Sequence, residues 1–115
     1  MVVISDQEVG IDCEYIDIDR ELTGVAKYTL SQDELKEFNL LTGEDKYHYL
    51  YTKWVLKEAY FKMKGLGLSK TFNEISKLDY PVLELSDANN NKYLFSCTSF
   101  EYNINRIEFN QINTI

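Results

Sequence analysis

The chain has 115 residues, with 12 basic and 19 acidic side chains, a formal net charge of −7, 44% hydrophobic residues and 27% charged residues. This size and composition predict one folded domain, residues 1–115, and exclude a disordered chain. No apolar run reaches the about 20 residues of a membrane-spanning helix, and no secretory pattern opens the chain, so we expect a cytoplasmic protein without a membrane partner. The negative charge argues against nucleic-acid binding, which needs a basic surface.

The charge is distributed unevenly along the chain. From Lys53 to Lys70 five lysines accompany a single acid, Glu58, so this segment carries +4 and the rest carries −11. An acidic chain with one basic segment favours an anionic ligand held at one place. Cys13 and Cys97 have no further cysteine or histidine at ligand spacing, and we expect both to be unpaired and buried.

The predicted elements begin with two short strands, 2–5 and 9–16, joined by a turn at 6–8. Residues 17–30 are ambiguous, with a helical stretch interrupted near Gly24. Ser31 and Glu34 have the spacing of a capping box, which predicts a helix that begins there and ends at Gly43.

The longest predicted helix follows at 44–64. Thr42 and Asp45 give a weaker start signal for it, and the glycines at 65 and 67 end it. A short helical turn is expected at 73–77, then strands at 81–85, 92–100 and 104–109, with a turn at 87–91. This order predicts an α+β fold in which a mostly antiparallel sheet packs on one long helix and one or two shorter helices.

Asp12 and Glu14 lie one pleat apart on the second predicted strand, so their side chains project from the same face. Two interpretations remain open at this point. The strand either exposes a polar face to water, with Ile11 and Cys13 turned inward, or provides half of a site for a hard cation such as Mg²⁺.

The long helix is predicted to be largely buried, because apolar side chains fill most of its circumference. Glu58 and Lys62 project into this apolar arc. An internal ion pair between them would contribute only tenths of a kcal/mol if exposed, whereas desolvation costs several kcal/mol per ion, so a ligand explains them better. If Glu58 faces Asp12 and Glu14, the three carboxylates need a divalent cation. A narrow polar edge of solvated side chains is expected at Lys46, Lys53, Lys57 and Lys64.

Residues 10–14 read GIDCE, and residues 54–68 read WVLKEAYFKMKGLGL. Together they resemble the paired signature of the phosphopantetheinyl transferases. The family pattern is GID with an acid shortly after, followed by W-x-x-K-E-[AS]-x-x-K-x-x-G-x-G-L. Nearly every specified position is met, and the two segments have the family's order and separation.

The resemblance implies an enzyme that transfers the 4′-phosphopantetheine arm of coenzyme A to a serine of an acyl or peptidyl carrier protein, as in fatty acid, polyketide or nonribosomal peptide biosynthesis. It also implies that Asp12, Glu14 and Glu58 hold Mg²⁺ and that Lys57 and Lys62 contact the phosphates of coenzyme A. Glu58 or a metal-bound water would take the serine proton, and Lys62 would offset charge on the leaving group.

The acid at position 14 is similar to the surfactin-type branch of the family, whose members contain two similar halves, whereas this chain has the length of one. The histidine segment that contacts the 3′-phosphate of coenzyme A in that branch is not found before the first motif, and His48 lies on the long helix. The single-domain holo-acyl-carrier-protein synthase branch forms homotrimers with sites between subunits, so we expect a homo-oligomer, either a dimer or a trimer. Two alternatives remain: a non-catalytic carrier-protein or nucleotide-binding half-domain that needs a partner chain, and a fragment or subunit of a hetero-complex.

Overall fold

The computed structural model describes residues 9–65, 72–75 and 78–99. Within these ranges the chain forms β1 (Val9–Tyr15), α1 (Thr23–Thr29), α2 (Gln32–Asn39), α3 (Glu44–Lys64), a 3₁₀ turn (Phe72–Glu74), β2 (Val82–Ser86) and β3 (Lys92–Ser99). The predicted α+β class is confirmed. The strands predicted at 2–5 and 104–109 lie outside the described residues.

The three strands form one antiparallel sheet in the order β1-β3-β2. On the central strand β3, Ser96 lies opposite Asp12 of β1 and opposite Val82 of β2. The predicted turn between β2 and β3 is confirmed. Its first residue, Asp87, accepts hydrogen bonds from the backbone N–H groups of Asn89 and Asn91, both at 2.9 Å.

A close contact between β1 and α3 determines which face of the sheet meets the long helix. A Cβ atom at Gly10 would lie 1.7 Å from the carbonyl oxygen of Ala59, so only glycine allows this approach. The Thr98 hydroxyl donates to the same oxygen at 3.1 Å. Because side chains alternate along a strand, the contact at Gly10 also turns Asp12 and Glu14 toward α3.

The interpretation that β1 exposes its acids to water is therefore wrong. Gly10 and Asp12 are buried, whereas Cys13 is exposed. Cys97 is buried, and both cysteines are free, so the prediction for the cysteines is confirmed except for the burial of Cys13. Cys13 points away from α3 because it alternates with the two acids.

Local signals define two of the helix ends, the start of α2 and the end of α3. The Ser31 hydroxyl accepts from the Glu34 N–H at 3.3 Å and Glu34 Oε1 accepts from the Ser31 N–H at 2.9 Å, which confirms the capping box of α2. The predicted interruption near Gly24 is wrong, because α1 includes this residue. Helix α3 has its predicted bounds, but its N-cap is Gly43 without a side-chain cap, and Gly65 ends the helix in the left-handed region at φ 70°.

The core has two parts that meet on α3. One joins α1 and α2 to the first half of the long helix through Ala26, Leu30, Phe38 and Leu50. The other joins α3 to the sheet through Tyr51, Val55 and Leu94. The predicted burial of α3 is thus confirmed. In the part of the chain that the structure describes, no helix is both long enough and apolar enough to cross a membrane.

Candidate active site at the junction of β1 and α3

Asp12 lies at the centre of the junction between β1 and α3, with only 9% of its surface exposed. Its Oδ1 accepts a hydrogen bond from Lys62 Nζ at 2.8 Å, and the same ammonium donates to the carbonyl oxygen of Ile11 at 3.2 Å. Asp12 Oδ2 is buried and accepts no hydrogen bond from the described residues. A buried carboxylate oxygen without a partner is costly, so this atom is a candidate ligand.

Glu14 lies on the same face of β1, half-buried, and Trp54 of α3 donates its indole N–H to Glu14 Oε1 at 3.2 Å. Burial raises the pKa of Glu14 above its usual range. The hydrogen bond from Trp54 opposes this shift, and the charges of Asp12 and Glu58 raise the pKa further. The charged form of Glu14 is therefore destabilised by the two acids near it as well as by burial.

Lys62 is the cation that the structure places among these acids. Burial acts to lower its pKa, but the hydrogen bond and charge of Asp12, together with Glu58 and Glu14, raise the pKa above its usual value. The side chain is 51% exposed, so the predicted position of Lys62 in a buried arc is wrong. Its amine lies at the solvent edge of the site.

The residues at this junction fit a divalent cation. Asp12, Glu14 and Glu58 provide the carboxylate oxygens that Mg²⁺ prefers, and one lysine leaves a net negative charge among them. No group of three Asp, Glu, His or Cys side chains within residues 9–65, 72–75 and 78–99 already has ligand geometry. The charges of Asp12 and Glu58 both act on Glu14, and a cation shared by the three carboxylates remains a prediction.

Lys57 is not on a solvated edge, and that prediction is wrong. Only 1% of its surface is exposed, and its ammonium donates to Glu34, to the Thr29 carbonyl at 2.7 Å and to the Phe72 carbonyl at 2.8 Å. Burial lowers the pKa of Lys57, although the hydrogen bond and charge of Glu34 act in the opposite direction. Lys57 is buried because α1, α2 and the 3₁₀ turn cover this side of α3. Lys64 is exposed and Lys53 partly so, as predicted.

Two contacts of the site region were not predicted from the sequence. Glu34 pairs with Lys57, but its role in the capping box already explained an acid at that position. Trp54 bonds to Glu14, which lies 40 residues earlier. The available signal was the position of Trp54 in the second motif, four residues before Glu58.

Comparison with known proteins identifies the family of the chain. The chain matches the family model described as the 4′-phosphopantetheinyl transferase superfamily over residues 8–110, which include both strand and helix motifs. The chain therefore belongs to this superfamily.

Similar proteins include two phosphopantetheinyl transferases of cyanobacteria and a bacterial synthase. The chain is 33% identical to 4′-phosphopantetheinyl transferase HetI of Nostoc sp. over 64 residues, which are 56% of this chain and 27% of HetI. It is 27% identical to putative 4′-phosphopantetheinyl transferase slr0495 of Synechocystis sp. over 71 residues, 62% of this chain and 29% of that protein. It is 31% identical to holo-[acyl-carrier-protein] synthase of Listeria monocytogenes over 84 residues, 68% of this chain and 69% of the synthase. The chain thus spans less than a third of HetI and of slr0495.

The fold is similar to that of a solved synthase. The crystal structure of Thermotoga maritima holo-[acyl-carrier-protein] synthase matches with a TM-score of 0.54 at 20% identity, over 78% of this chain and 61% of that chain. The likeness covers the α+β fold derived above.

Proposed function

We propose that this protein transfers the 4′-phosphopantetheine arm of coenzyme A to a serine of an acyl or peptidyl carrier protein, with Mg²⁺ as cofactor. The observation that carries the proposal is the contact of Lys62 with Asp12 where β1 packs on α3, together with the charges of Glu14 and Glu58 that act on this lysine. Three acids and one half-exposed lysine are suited to a pyrophosphate with a divalent cation, because phosphoryl transfer requires positioning and charge stabilisation.

Each residue of the site has a proposed role. Asp12, Glu14 and Glu58 would hold Mg²⁺, which when bound neutralises pyrophosphate charge. The Lys62 amine can exchange its contact with Asp12 for a phosphate oxygen, because it lies at the solvent edge. Glu58 would accept the proton of the attacking serine hydroxyl. The serine oxygen would then bond to the phosphorus next to the pantetheine arm as the bond from that phosphorus to the bridging pyrophosphate oxygen breaks. The leaving group is adenosine 3′,5′-bisphosphate, whose charge Lys62 would offset.

A contact between Lys57 and a phosphate of coenzyme A stays a prediction. To make it, the Lys57 ammonium would have to leave one or more of its three buried acceptors. We therefore propose that Lys62 provides the main cationic contact with the pyrophosphate and that Lys57 supports the fold around the site.

We also propose that the protein works as a homo-oligomer. The support for this is the sequence resemblance, which implies a site completed between two similar halves or between subunits. The same resemblance favours the second candidate, a non-catalytic half-domain that acts only with a partner chain.

Incubation with coenzyme A, Mg²⁺ and an apo carrier protein tests the proposal, with the mass of the carrier as the readout. We expect the carrier to gain one phosphopantetheine group, and we expect chelation of Mg²⁺ or the variant Glu58→Gln to abolish the gain. Binding of coenzyme A without transfer by the purified protein would favour the half-domain. No binding and no transfer would contradict both candidates.

A further inference from the structure

Trp54 occupies a fixed place beside the proposed cation site. Its ring contacts Phe72 edge-on at a centroid distance of 5.5 Å and lies 6.0 Å from the ring of Tyr28. Phe72 is itself held, because its ring packs on Phe61 at 4.9 Å and its carbonyl accepts from Lys57. The indole therefore has contacts on more than one side, which restrict its rotation.

The indole N–H is the part of Trp54 that faces the site. It donates to Glu14 Oε1 at 3.2 Å, across the junction of β1 and α3. A carboxylate on a strand can rotate, and one fixed donor selects an orientation beside Asp12. Groups that donate a hydrogen bond to a metal-binding side chain orient that side chain, and they commonly affect the affinity of the site for the metal.

We propose that Trp54 is a positioning residue, whose indole N–H holds the Glu14 carboxylate in the orientation that binds the cation, while Phe72 and Tyr28 hold the indole. This inference rests on the proposed function, since it concerns the same site. It assigns to Trp54 a hydrogen bond that phenylalanine, with a similar apolar ring, would not make.

The chain has one tryptophan, so its indole N–H gives a single signal in a ¹H–¹⁵N spectrum. We expect this signal to exchange slowly with solvent and to shift in Glu14→Gln. An indole signal with the exchange rate of a free indole, unmoved in Glu14→Gln, would show that the bond does not exist and would overturn the inference. This readout requires neither cation nor activity.

The second experiment measures Mn²⁺ binding, in the presence of coenzyme A, to the wild-type protein and to Trp54→Phe. We expect Trp54→Phe to weaken Mn²⁺ binding by about 10- to 100-fold. Tyr28→Phe is the matched control, because this variant keeps an aromatic ring next to Trp54 and loses only a hydroxyl group. Its affinity for Mn²⁺ should equal that of the wild-type protein. Melting temperatures of both variants report whether packing has changed.

A double-mutant cycle separates positioning from general loss of structure. If Trp54 acts through Glu14, adding Trp54→Phe to Glu14→Gln should change Mn²⁺ affinity by less than about twofold. In the transferase assay, a rate loss in Trp54→Phe should be recovered largely at high Mg²⁺ concentration. If adding Trp54→Phe to Glu14→Gln lowers Mn²⁺ affinity by a further factor of about 10, the inference is overturned.

The outcomes also distinguish the two proposals. If the wild-type protein binds Mn²⁺ and Trp54→Phe binds it equally well, the inference fails and the proposed function stands. If the wild-type protein binds no cation with coenzyme A and transfers nothing, both fail.

Discussion

Lys62 places its ammonium 2.8 Å from Asp12 Oδ1 while half of the side chain stays exposed. Glu58 and Glu14 raise its pKa from further away, so the lysine stays protonated and responds to the whole acidic cluster. At the scale of single residues, charge in the site is thus unbalanced toward negative, and Lys62 is the cation that we propose to move from protein to ligand.

Replacing Lys62 should affect turnover far more than replacing either neighbouring lysine. We expect Lys62→Ala to lower turnover by about two to three decades, as loss of an aligned donor does in other enzymes. Lys53→Ala and Lys64→Ala should cost less than about fivefold, because these amines lie over the rings of Tyr49 and Tyr60 at the helix surface. Initial rates and melting temperatures of the three variants provide the measurement. Equal small losses at all three positions would contradict the proposed mechanism.

Gly10 offers a test of the contact that orients the acids. A Cβ at this position would meet the Ala59 carbonyl, so Gly10→Ala must separate β1 from α3, and we expect destabilisation of about 1–3 kcal/mol or more. Gly24→Ala is the matched control: a Cβ there meets nothing within 4 Å, and alanine is the better helix former, so stability should rise by roughly 0.5 kcal/mol. Urea unfolding measures both changes. Equal stability of the two variants would contradict the close contact.

At the scale of elements, one buried ion pair holds the helices together. The Lys57 ammonium joins the carbonyl at the end of α1, the capping glutamate of α2 and the carbonyl of Phe72. The carbonyl of Thr29 is among those that α1 leaves without a partner at its C-terminal end, so the lysine satisfies a helix terminus as well as a carboxylate.

Lys57→Met tests whether this lysine supports the fold. Removing one member of a buried ion pair commonly costs about 3–5 kcal/mol, and we expect a loss of this order in urea unfolding. Lys53→Met is the control, because Lys53 lies 3.7 Å from the other oxygen of Glu34 and is partly exposed; its loss should be below about 1 kcal/mol. A Lys57→Met variant of wild-type stability that binds coenzyme A poorly would instead support the predicted phosphate contact.

The turn between β2 and β3 should show a defined pH dependence. Hydrogen bonds from Asn91 and Asn89 hold the pKa of Asp87 below its ordinary value of 3.8. A lowered carboxyl pKa contributes stability that is fully present above the ordinary value and is lost as the pH falls through the lowered one. The stability difference between wild type and Asp87→Ala should thus be constant from about pH 5 to 7 and decrease below about pH 4. Asn89→Ala keeps its backbone donor, and its difference from wild type should not change with pH.

At the scale of the whole molecule, the proposed homo-oligomer rests on the family resemblance of the sequence. The described residues provide one β1–α3 junction with acids and a lysine. The resemblance implies that such a site is completed between two similar halves or between two subunits.

Sedimentation of the purified protein tests this proposal. We expect a dimer or a trimer, with transferase activity that falls when dilution dissociates it, because mass action then removes one side of the site. A strictly monomeric protein that transfers phosphopantetheine at a concentration-independent specific rate would contradict it.

The sequence by itself determined the features that depend on near neighbours. The capping box of Ser31 and Glu34, the bounds of α3 and the Asp87 turn are each formed by residues a few positions apart, so their hydrogen bonds can be predicted from spacing. The pairing of GIDCE with the motif of α3 likewise indicated the superfamily and brought Asp12, Glu14 and Glu58 into one hypothesis.

Only the tertiary structure decided which sides of α3 are covered. Lys57 is buried because Glu34, 23 positions earlier, and Phe72, 15 positions later, meet it in space. Cys13 is exposed because Gly10 turns the other face of β1 toward the helix. Periodicity identifies the faces of an element but not the neighbour that each one meets, since that depends on how separate elements pack.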